Sequence, residues 1–339
     1  MTDLHRFRRV SAVVLALGLL AAGCGGDEEP EPRAEPTQTA STTPPPPPPT
    51  DPLTGAPAQP GAPLVAVKID NAPLARPFHR GLEGASVLYL ELVEGGATRF
   101  LALYSQPFGA QVGPIRSFRE SDIELLGQFG RPAVGFSGAN EGVLRAFRQA
   151  VQNGVLANAS YDDFPNLYAI GERRRDAKNF YAVPAEMGKA ADAAPAKDIG
   201  WTFAPAPPPG GLPGNAATVV MSDRSTVQLQ YDAASKRYLL LQDGAPLTGF
   251  GAANVVVQQV QLRDGGYRDV TGAVTPYSVT VGTGALEVLR DGLRFQGSWN
   301  RPAPPEGTRL LGAAGAPIPL APGPTLVLLH PAGLPFSAS

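Results

Sequence analysis

Four charged residues in the first half of the chain are of the types that bind anions. Glu94 and Arg99 flank a Gly-Gly pair, and Arg116 and Arg119 follow within a block rich in glycine and proline. Arginine offers phosphate or carboxylate a planar fork of N–H donors. The sequence therefore predicts an anion-binding site at these residues. A purely structural alternative stays open, in which Arg99 and Glu94 form a salt bridge at a hairpin end and Arg119 is an exposed helix residue.

The helix that must position these arginines begins within the same block. Ser117 and Glu120 have capping-box spacing, and so do Ser121 and Glu124. The spacing predicts a helix that begins there and runs to about Phe129. Arg116 would then precede a helix N-terminus, whose free backbone N–H groups also favour anions.

A second candidate site is acidic. Asp70 and Glu91, with Glu94, could supply the two carboxylates that hydrolyse a glycosidic bond. The sequence favours a structural reading, because Asp70-Asn71 is equally typical of a turn after a strand. The run Arg173–Arg175 is expected to be a solvated surface or to attract anionic lipid weakly.

The composition excludes several classes of function. The chain has one cysteine and three histidines, so a Cys/His zinc site is not expected, and no metal or cofactor is predicted. The formal net charge is −2. A nucleic-acid partner is not expected, since neutralising phosphates requires a basic surface.

The N-terminus has the pattern of an exported lipoprotein. Residues 1–23 combine a basic start, a short apolar run and small residues before Cys24, which is typical of a signal peptide. A lipid on Cys24 would anchor the protein in the membrane. Residues 24–50 are polar and proline-rich and are predicted to be a disordered tether. The expected location is the outer face of the cytoplasmic membrane.

The first half predicts a hairpin that carries the arginine site. Apolar runs indicate strands at 64–69, 86–93 and 99–104. With Gly95 and Gly96 as a two-residue turn, Leu92 faces Arg99 across the hairpin. Alternation then places six side chains on one face: Leu88, Leu90, Leu92, Arg99, Leu101 and Leu103.

The complete chain is predicted to be an α+β protein of two domains. Strands and helices alternate over residues 51–202, which indicates a mixed α/β N-terminal domain. Residues 203–215 form a Pro/Gly linker. Residues 216–335 contain mostly short strands, which favours a β-rich C-terminal domain with a sandwich or open-barrel architecture.

Several sequence blocks resemble the YerB-like lipoprotein family, the domain-of-unknown-function 3048 family. The most specific block is Gly113–Arg119, and the others are Asp51–Gly55, Val67–Asn71, Leu92–Phe100, Asn179–Tyr181, Tyr231-Asp232, Asn254–Val257 and Gly297–Trp299. The resemblance covers residues 51–330. It implies a lipoprotein with an N-terminal and a C-terminal domain and no established activity.

These features favour a membrane-anchored binding protein over an enzyme. The expected ligand is anionic, either a cell-wall polymer or an envelope protein. Two alternatives remain: a carboxylate-dependent cell-wall hydrolase, and a scaffold that docks a membrane enzyme.

Overall fold

The computed structural model describes residues 48–175, 177–268 and 272–339. The predicted signal peptide, Cys24 and nearly all of the predicted tether lie outside the described residues. The first half contains β1 (Val65–Asp70), β2 (Val87–Leu92), β3 (Thr98–Tyr104), β4 (Val112–Ile115), α1 (Glu120–Leu126), β5 (Ala133–Gly135), α2 (Glu141–Gln152), β6 (Ala157–Asn158), β7 (Tyr168–Ile170), β8 (Phe180–Ala182) and α3 (Pro184–Ala190).

The second half consists of strands in the part of the chain that the structure describes, apart from one short 3-10 turn. They are β9 (Leu212–Pro213), β10 (Ala216–Ser222), β11 (Ser225–Asp232), β12 (Arg237–Gln242), β13 (Ala245–Pro246), β14 (Asn254–Val260), β15 (Leu262–Arg268), β16 (Val274–Ser278), β17 (Gly282–Arg290), β18 (Leu293–Arg301), β19 (Arg309–Leu311), β20 (Thr325–Pro331) and β21 (Phe336–Ala338). A mixed N-terminal half and a strand-rich C-terminal half agree with the predicted α+β class.

One large sheet combines strands from both halves of the chain. Its main order is β19-β18-β17-β14-β20-β2-β3-β1-β4-β8-β7, with β5, β6 and β9 attached to it. The halves meet where β2 pairs in parallel with β20. A smaller sheet has the order β13-β12-β11-β10-β21, and β15 and β16 form a separate hairpin.

The two faces of the large sheet are covered differently. On one face, side chains such as Leu90 share an apolar core with Val227 of the smaller sheet. On the opposite face, Leu101 shares a second core with Leu125 of α1 and Phe147 of α2. Successive residues of a strand point to opposite faces, so the strands of the large sheet supply both cores. The helices α1 and α2 therefore cover the face to which the charged residues described below belong, whereas Met187 of α3 belongs to the core on the other face.

The hairpin between β2 and β3 differs from its predicted register by one residue. Its turn holds three residues, Glu94–Gly96, rather than two. Leu92 therefore pairs with Thr98, and Glu91 pairs with Arg99. The prediction that Arg99 lies opposite Leu92 and shares its face is wrong, because a shift of one residue moves every side chain to the other face. Arg99 instead lies on the helix-covered face.

The predicted linker is in contact with the second half of the chain. Phe203 forms a bridge with Leu320, and β9 pairs with the start of β18. The division into domains at 203–215 stays a prediction. Among the described residues, no helix combines the length and the apolar character needed to cross a membrane.

Candidate functional site

The backbone before α1 fixes the direction of Arg116. Its N–H donates to the carbonyl oxygen of Lys68 on β1 at 2.9 Å. Three residues earlier, Gly113 has φ 153°, and a Cβ there would lie 2.5 Å from the carbonyl oxygen of Phe180. No other residue fits this close approach without movement of the backbone. The glycine in this block is therefore needed to bring Arg116 against β1.

The helix α1 begins between its two predicted serine caps, Ser117 and Ser121. It starts at Glu120, directly after Arg119. Asp122 takes the role predicted for a glutamate, because its Oδ2 accepts the backbone N–H of Arg119 at 2.9 Å. The predicted capping boxes of Ser117 and Ser121 are wrong. A carboxylate in the first turn is favoured by the helix dipole.

Asp70, at the end of β1, is a buried carboxylate surrounded by arginines. Arg99 donates to its Oδ1 at 2.9 Å, and Arg174 donates to its Oδ2 at 2.7 Å. Arg116 places its Nε 3.1 Å from the same Oδ2. Burial alone would raise the pKa of Asp70, but the three arginines together hold that pKa below its usual value. Asp70 is therefore a permanent negative charge at neutral pH.

Arg174 was not predicted to belong to the site. The sequence places it in a basic run that was expected to be solvated, yet only 5% of Arg174 is exposed. Its neighbours Arg173 and Arg175 are exposed as predicted. The expectation is therefore wrong for Arg174, because its guanidinium is paired with a carboxylate 104 residues away in the chain.

Glu94 forms a second ion pair at the end of the β2–β3 hairpin. Its Oε2 accepts a hydrogen bond from Arg119, and its Oε1 accepts the hydroxyl of Thr275 on β16 at 2.7 Å. Burial alone would raise the pKa of Glu94, but Arg119 and the hydroxyl of Thr275 lower it overall. The predicted Arg99–Glu94 salt bridge is thus replaced by two separate pairs, Arg99–Asp70 and Arg119–Glu94.

A third group of charges lies deeper on the same sheet face. Lys68 contacts Glu91, and its Nζ lies 2.8 Å from Asp122. All three side chains are at most 1% exposed. Burial lowers the pKa of Lys68 to about 8, although Asp122 acts to raise it. Lys68, Glu91 and Asp122 are called the inner ionic cluster below.

The outer charges open into a cavity of about 490 Å³. It is called the arginine pocket, and its polar lining consists of Glu94, Arg99, Arg116, Ser117, Arg119, Asn140, Arg268 and Thr275. The start of α2 lies at its edge, where Asn140 accepts the N–H of Gly142 at 2.9 Å. The pocket therefore combines guanidinium groups with a helix N-terminus, and both favour anions.

The structure brings together all four residues of the predicted anion site. Glu94, Arg99, Arg116 and Arg119 line the arginine pocket. Of the predicted acidic residues, Asp70 lies directly beneath the arginines, whereas Glu91 belongs to the inner ionic cluster. Sequence reasoning missed a further set of residues: Lys68, Asp122, Arg174, Arg268 and Thr275. Thr275 and Arg268 come from the β15–β16 hairpin, more than 150 residues after Arg116, so local spacing gives no signal for them.

A larger groove of about 910 Å³ lies beside the arginine pocket. It is mainly apolar and is lined by parts of α1 and α2, Tyr277 and Pro304-Pro305, and none of the predicted site residues line it. We regard the smaller pocket as the candidate site because its charges converge on one space. Within residues 48–175, 177–268 and 272–339, no group of three or more His, Cys, Asp or Glu side chains could hold a metal ion.

Comparison with solved structures shows a related fold. The crystal structure of the YerB protein from Bacillus subtilis matches with a TM-score of 0.69, covering 85% of this chain and 99% of that one. The sequence identity is 21%, so this match concerns the fold alone.

Comparison of sequences gives a shorter but closer match. "Putative lipoprotein YerB" of Bacillus subtilis (strain 168) is 43% identical over 65 residues. The matched part spans 19% of this chain and 19% of that protein. This is well under two thirds of the relative's length.

Two family models cover most of the described chain. Residues 53–197 match the N-terminal domain of a protein of unknown function (DUF3048), and residues 217–327 match the C-terminal domain of the same family. The resemblance predicted from the sequence blocks is confirmed, and the chain belongs to the DUF3048 family.

Proposed function

We propose that this protein is an exported lipoprotein that binds an anionic ligand of the cell envelope in the arginine pocket. The observation that carries the proposal is an imbalance of charge. Among the described residues, Arg99, Arg116, Arg119 and Arg268 line the pocket, whereas the carboxylates beside them are Asp70 and Glu94. An anion from outside would balance the excess, and arginine forks bind phosphate and carboxylate well.

The geometry of Arg116 also supports ligand binding. Arg116 is one-third exposed, and it approaches Asp70 through Nε, the inner nitrogen of its guanidinium. Arg116 also lines the pocket, so the same side chain is paired with Asp70 and available to a ligand. A guanidinium that is already held by an ion pair loses less further freedom when a ligand binds.

The hydrolase alternative is less well supported. Cleavage of a glycosidic bond by a carboxylate pair needs one protonated acid. The pKa values of Asp70 and Glu94 are both lowered by their arginine partners, so both groups are ionised at neutral pH. Neither is therefore suited to donate a proton to a leaving group.

Thermal unfolding of the full chain in detergent tests the binding proposal. We expect added inorganic phosphate, compared with chloride at equal ionic strength, to raise the unfolding midpoint of the wild type, because a ligand that binds the folded state stabilises it. Arg116→Ala should remove this rise. Arg309→Ala, an exposed arginine on β19, is the matched control and should retain it. The same rise in all three proteins, or none in the wild type, contradicts the proposal.

The lipid anchor is tested separately. Cys24 lies outside the described residues, and the proposal for it rests on the signal-peptide pattern and on the name of the Bacillus relative. We expect Cys24→Ala to prevent incorporation of radiolabelled fatty acid into the protein. Cys24→Ser, which also lacks the thiol but is closer in size to cysteine, should give the same result. Continued labelling of either variant contradicts attachment at this residue.

A further inference from the structure

The wall of the arginine pocket contains a hydrogen-bond acceptor that a site for a bare anion does not need. Glu94 is the one carboxylate among the described residues that line the pocket. Each of its oxygens accepts one hydrogen bond, from Arg119 and from Thr275. A carboxylate has about four acceptor positions, and the backbone N–H of Glu94 itself occupies a third, so about one remains available. A carboxylate would repel a bare anion, but it would accept hydrogen bonds from hydroxyl groups on the same ligand.

The size of the pocket also exceeds the needs of an inorganic ion. Its volume is about 490 Å³, within the range of about 300–1,000 Å³ typical of sites for small organic molecules. Its lining includes apolar side chains, among them Val93, Ala97 and Val143. Apolar side chains of this kind pack well against the C–H groups of a carbon skeleton.

The charge of the pocket matches a phosphate group better than a single carboxylate. Five arginines, the four that line the pocket and Arg174 behind them, face two carboxylates, Asp70 and Glu94, among the described residues. The excess is three positive charges, so the pocket can balance a phosphate monoester, which carries about −1.5 to −2 at neutral pH, as well as the single charge of a phosphodiester. Both terminal nitrogens of Arg119 already donate, to the carbonyl oxygens of Ser117 and Phe118 and to Glu94. Arg116 and Arg268 are the most exposed of the four arginines that line the pocket, so they are the partners expected for the phosphate.

We propose that the ligand is a phosphorylated polyol, whose phosphate binds Arg116 and Arg268 and whose hydroxyl groups donate to Glu94. This inference rests on the proposed function, because it names the ligand class of the same pocket. The polyol phosphate can come from a soluble or polymeric glycerol or sugar phosphate, or from the headgroup of a lipid.

The test compares two probes that differ only in the polyol. Inorganic phosphate and glycerol 3-phosphate are titrated calorimetrically into the full chain in detergent, at one pH and one ionic strength. We expect the wild type to bind glycerol 3-phosphate about tenfold more tightly, the effect of one charge-assisted hydrogen bond. Equal affinity for the two probes overturns the inference while leaving the proposed function intact. Failure to bind either probe overturns both.

The variant Glu94→Gln should change the affinity for inorganic phosphate and the preference for glycerol 3-phosphate in opposite directions. It removes one negative charge from the pocket, so the affinity for inorganic phosphate should increase. It also weakens the acceptor for hydroxyl groups, so the preference for glycerol 3-phosphate should fall from about tenfold to about threefold or less. Glu306→Gln, at an exposed position away from the pocket lining, is the matched control and should change neither value. Equal weakening of both probes by Glu94→Gln contradicts the proposed role of Glu94.

A final arm distinguishes the two sources. Detergent micelles that contain phosphatidylglycerol are compared with micelles that contain phosphatidylcholine, and glycerol 3-phosphate is titrated in each. If a lipid headgroup is the ligand, phosphatidylglycerol should weaken the apparent affinity for glycerol 3-phosphate at least about tenfold by competition. Unchanged affinity assigns the ligand to a soluble or polymeric source. Both results support a phosphorylated polyol only if the wild type also binds glycerol 3-phosphate more tightly than inorganic phosphate.

Discussion

The inner ionic cluster and the arginine pocket lie on the same sheet face but differ in how their charges are balanced. In the inner cluster, Lys68 lies between Glu91 and Asp122, and all three are at most 1% exposed. In the pocket, cations exceed carboxylates among the described residues, and Arg116 is 33% exposed. The inner cluster is fully buried, and because it has one cation for two carboxylates it carries one net negative charge. A buried ionic group of this kind is typical of a structural element. The arginine pocket, which is open and has an excess of positive charge, is suited to an anionic ligand.

The two groups are also connected through the backbone. The carbonyl oxygen of Lys68 accepts the N–H of Arg116, and the carboxylate of Asp122 accepts the N–H of Arg119. The inner cluster therefore holds the segment that carries Arg116 and Arg119. The comparison indicates that the pocket can remain open to solvent because the buried inner cluster behind it holds the backbone of Arg116 and Arg119 in place.

The largest expected effect is on the inner cluster. Lys68→Met should lower the free energy of unfolding by about 3–5 kcal/mol, because it leaves two carboxylates buried without their cation. Denaturant-induced unfolding at neutral pH measures the loss. Lys178→Met, at an exposed lysine, is the control and should change little. A loss below about 1 kcal/mol would mean that water reaches Glu91 and Asp122 and that the cluster is not closed.

A smaller loss is expected at the boundary between the two groups. Asp70→Asn should destabilise the protein by roughly 1–3 kcal/mol, because the arginines around it lose their charged acceptor. The loss is smaller than for Lys68 since Arg99 and Arg116 are partly exposed and can be hydrated. The same unfolding experiment measures it. A stabilised variant would show that the repulsion of Asp70 from other carboxylates outweighs its arginine pairs.

The stability of the wild type and that of Asp70→Asn should depend differently on pH. The pKa of Asp70 is lowered in the folded state, so its contribution is fully present above its unfolded pKa of about 4 and is lost as the pH falls through the lowered folded value. The stability difference between the wild type and Asp70→Asn should therefore shrink as the pH falls from about 4 towards 2. Unfolding midpoints over this range provide the measurement. A constant difference would contradict an ionised, arginine-held Asp70.

The smallest effect on stability is expected at Arg116. Arg116→Ala should cost less than about 1 kcal/mol, because a third of its side chain is exposed and its ion pair is screened. Arg174→Ala is the matched comparison, since Arg174 pairs with the same carboxylate but its side chain is 2% exposed. Unfolding of both variants should show the greater loss for Arg174. Equal losses would assign Arg116 a structural role.

Local spacing predicted the elements of the site better than its contacts. The strands around Asp70, Glu94 and Arg99 were predicted to within one or two residues, because their apolar runs and Gly-rich turn are local signals. The register of the hairpin was not, since two consecutive glycines with positive φ also fit a two-residue turn, whereas the observed turn includes Glu94 before them.

Contacts across the chain had no local signal. Nothing in the basic run of Arg174 distinguishes the one arginine that turns inwards from its two exposed neighbours. Lys68 lies in an apolar strand, where its burial depends on Asp122, 54 residues later. Such partners are brought together by the tertiary fold. The sequence therefore predicts four residues of the arginine pocket but not the charged residues that support them.

The parallel pairing of β2 with β20 has a consequence for the order of folding. β2 ends at Leu92, and its partner β20 begins at Thr325, 233 residues later. Chain synthesis proceeds from the N-terminus, so this edge of β2 has no partner until all of those residues have been synthesised. Contacts of such long sequence separation form slowly, because the intervening loop must first be closed. The central sheet is therefore expected to be completed late, and a ribosome-stalled chain ending before β20 should remain sensitive to protease.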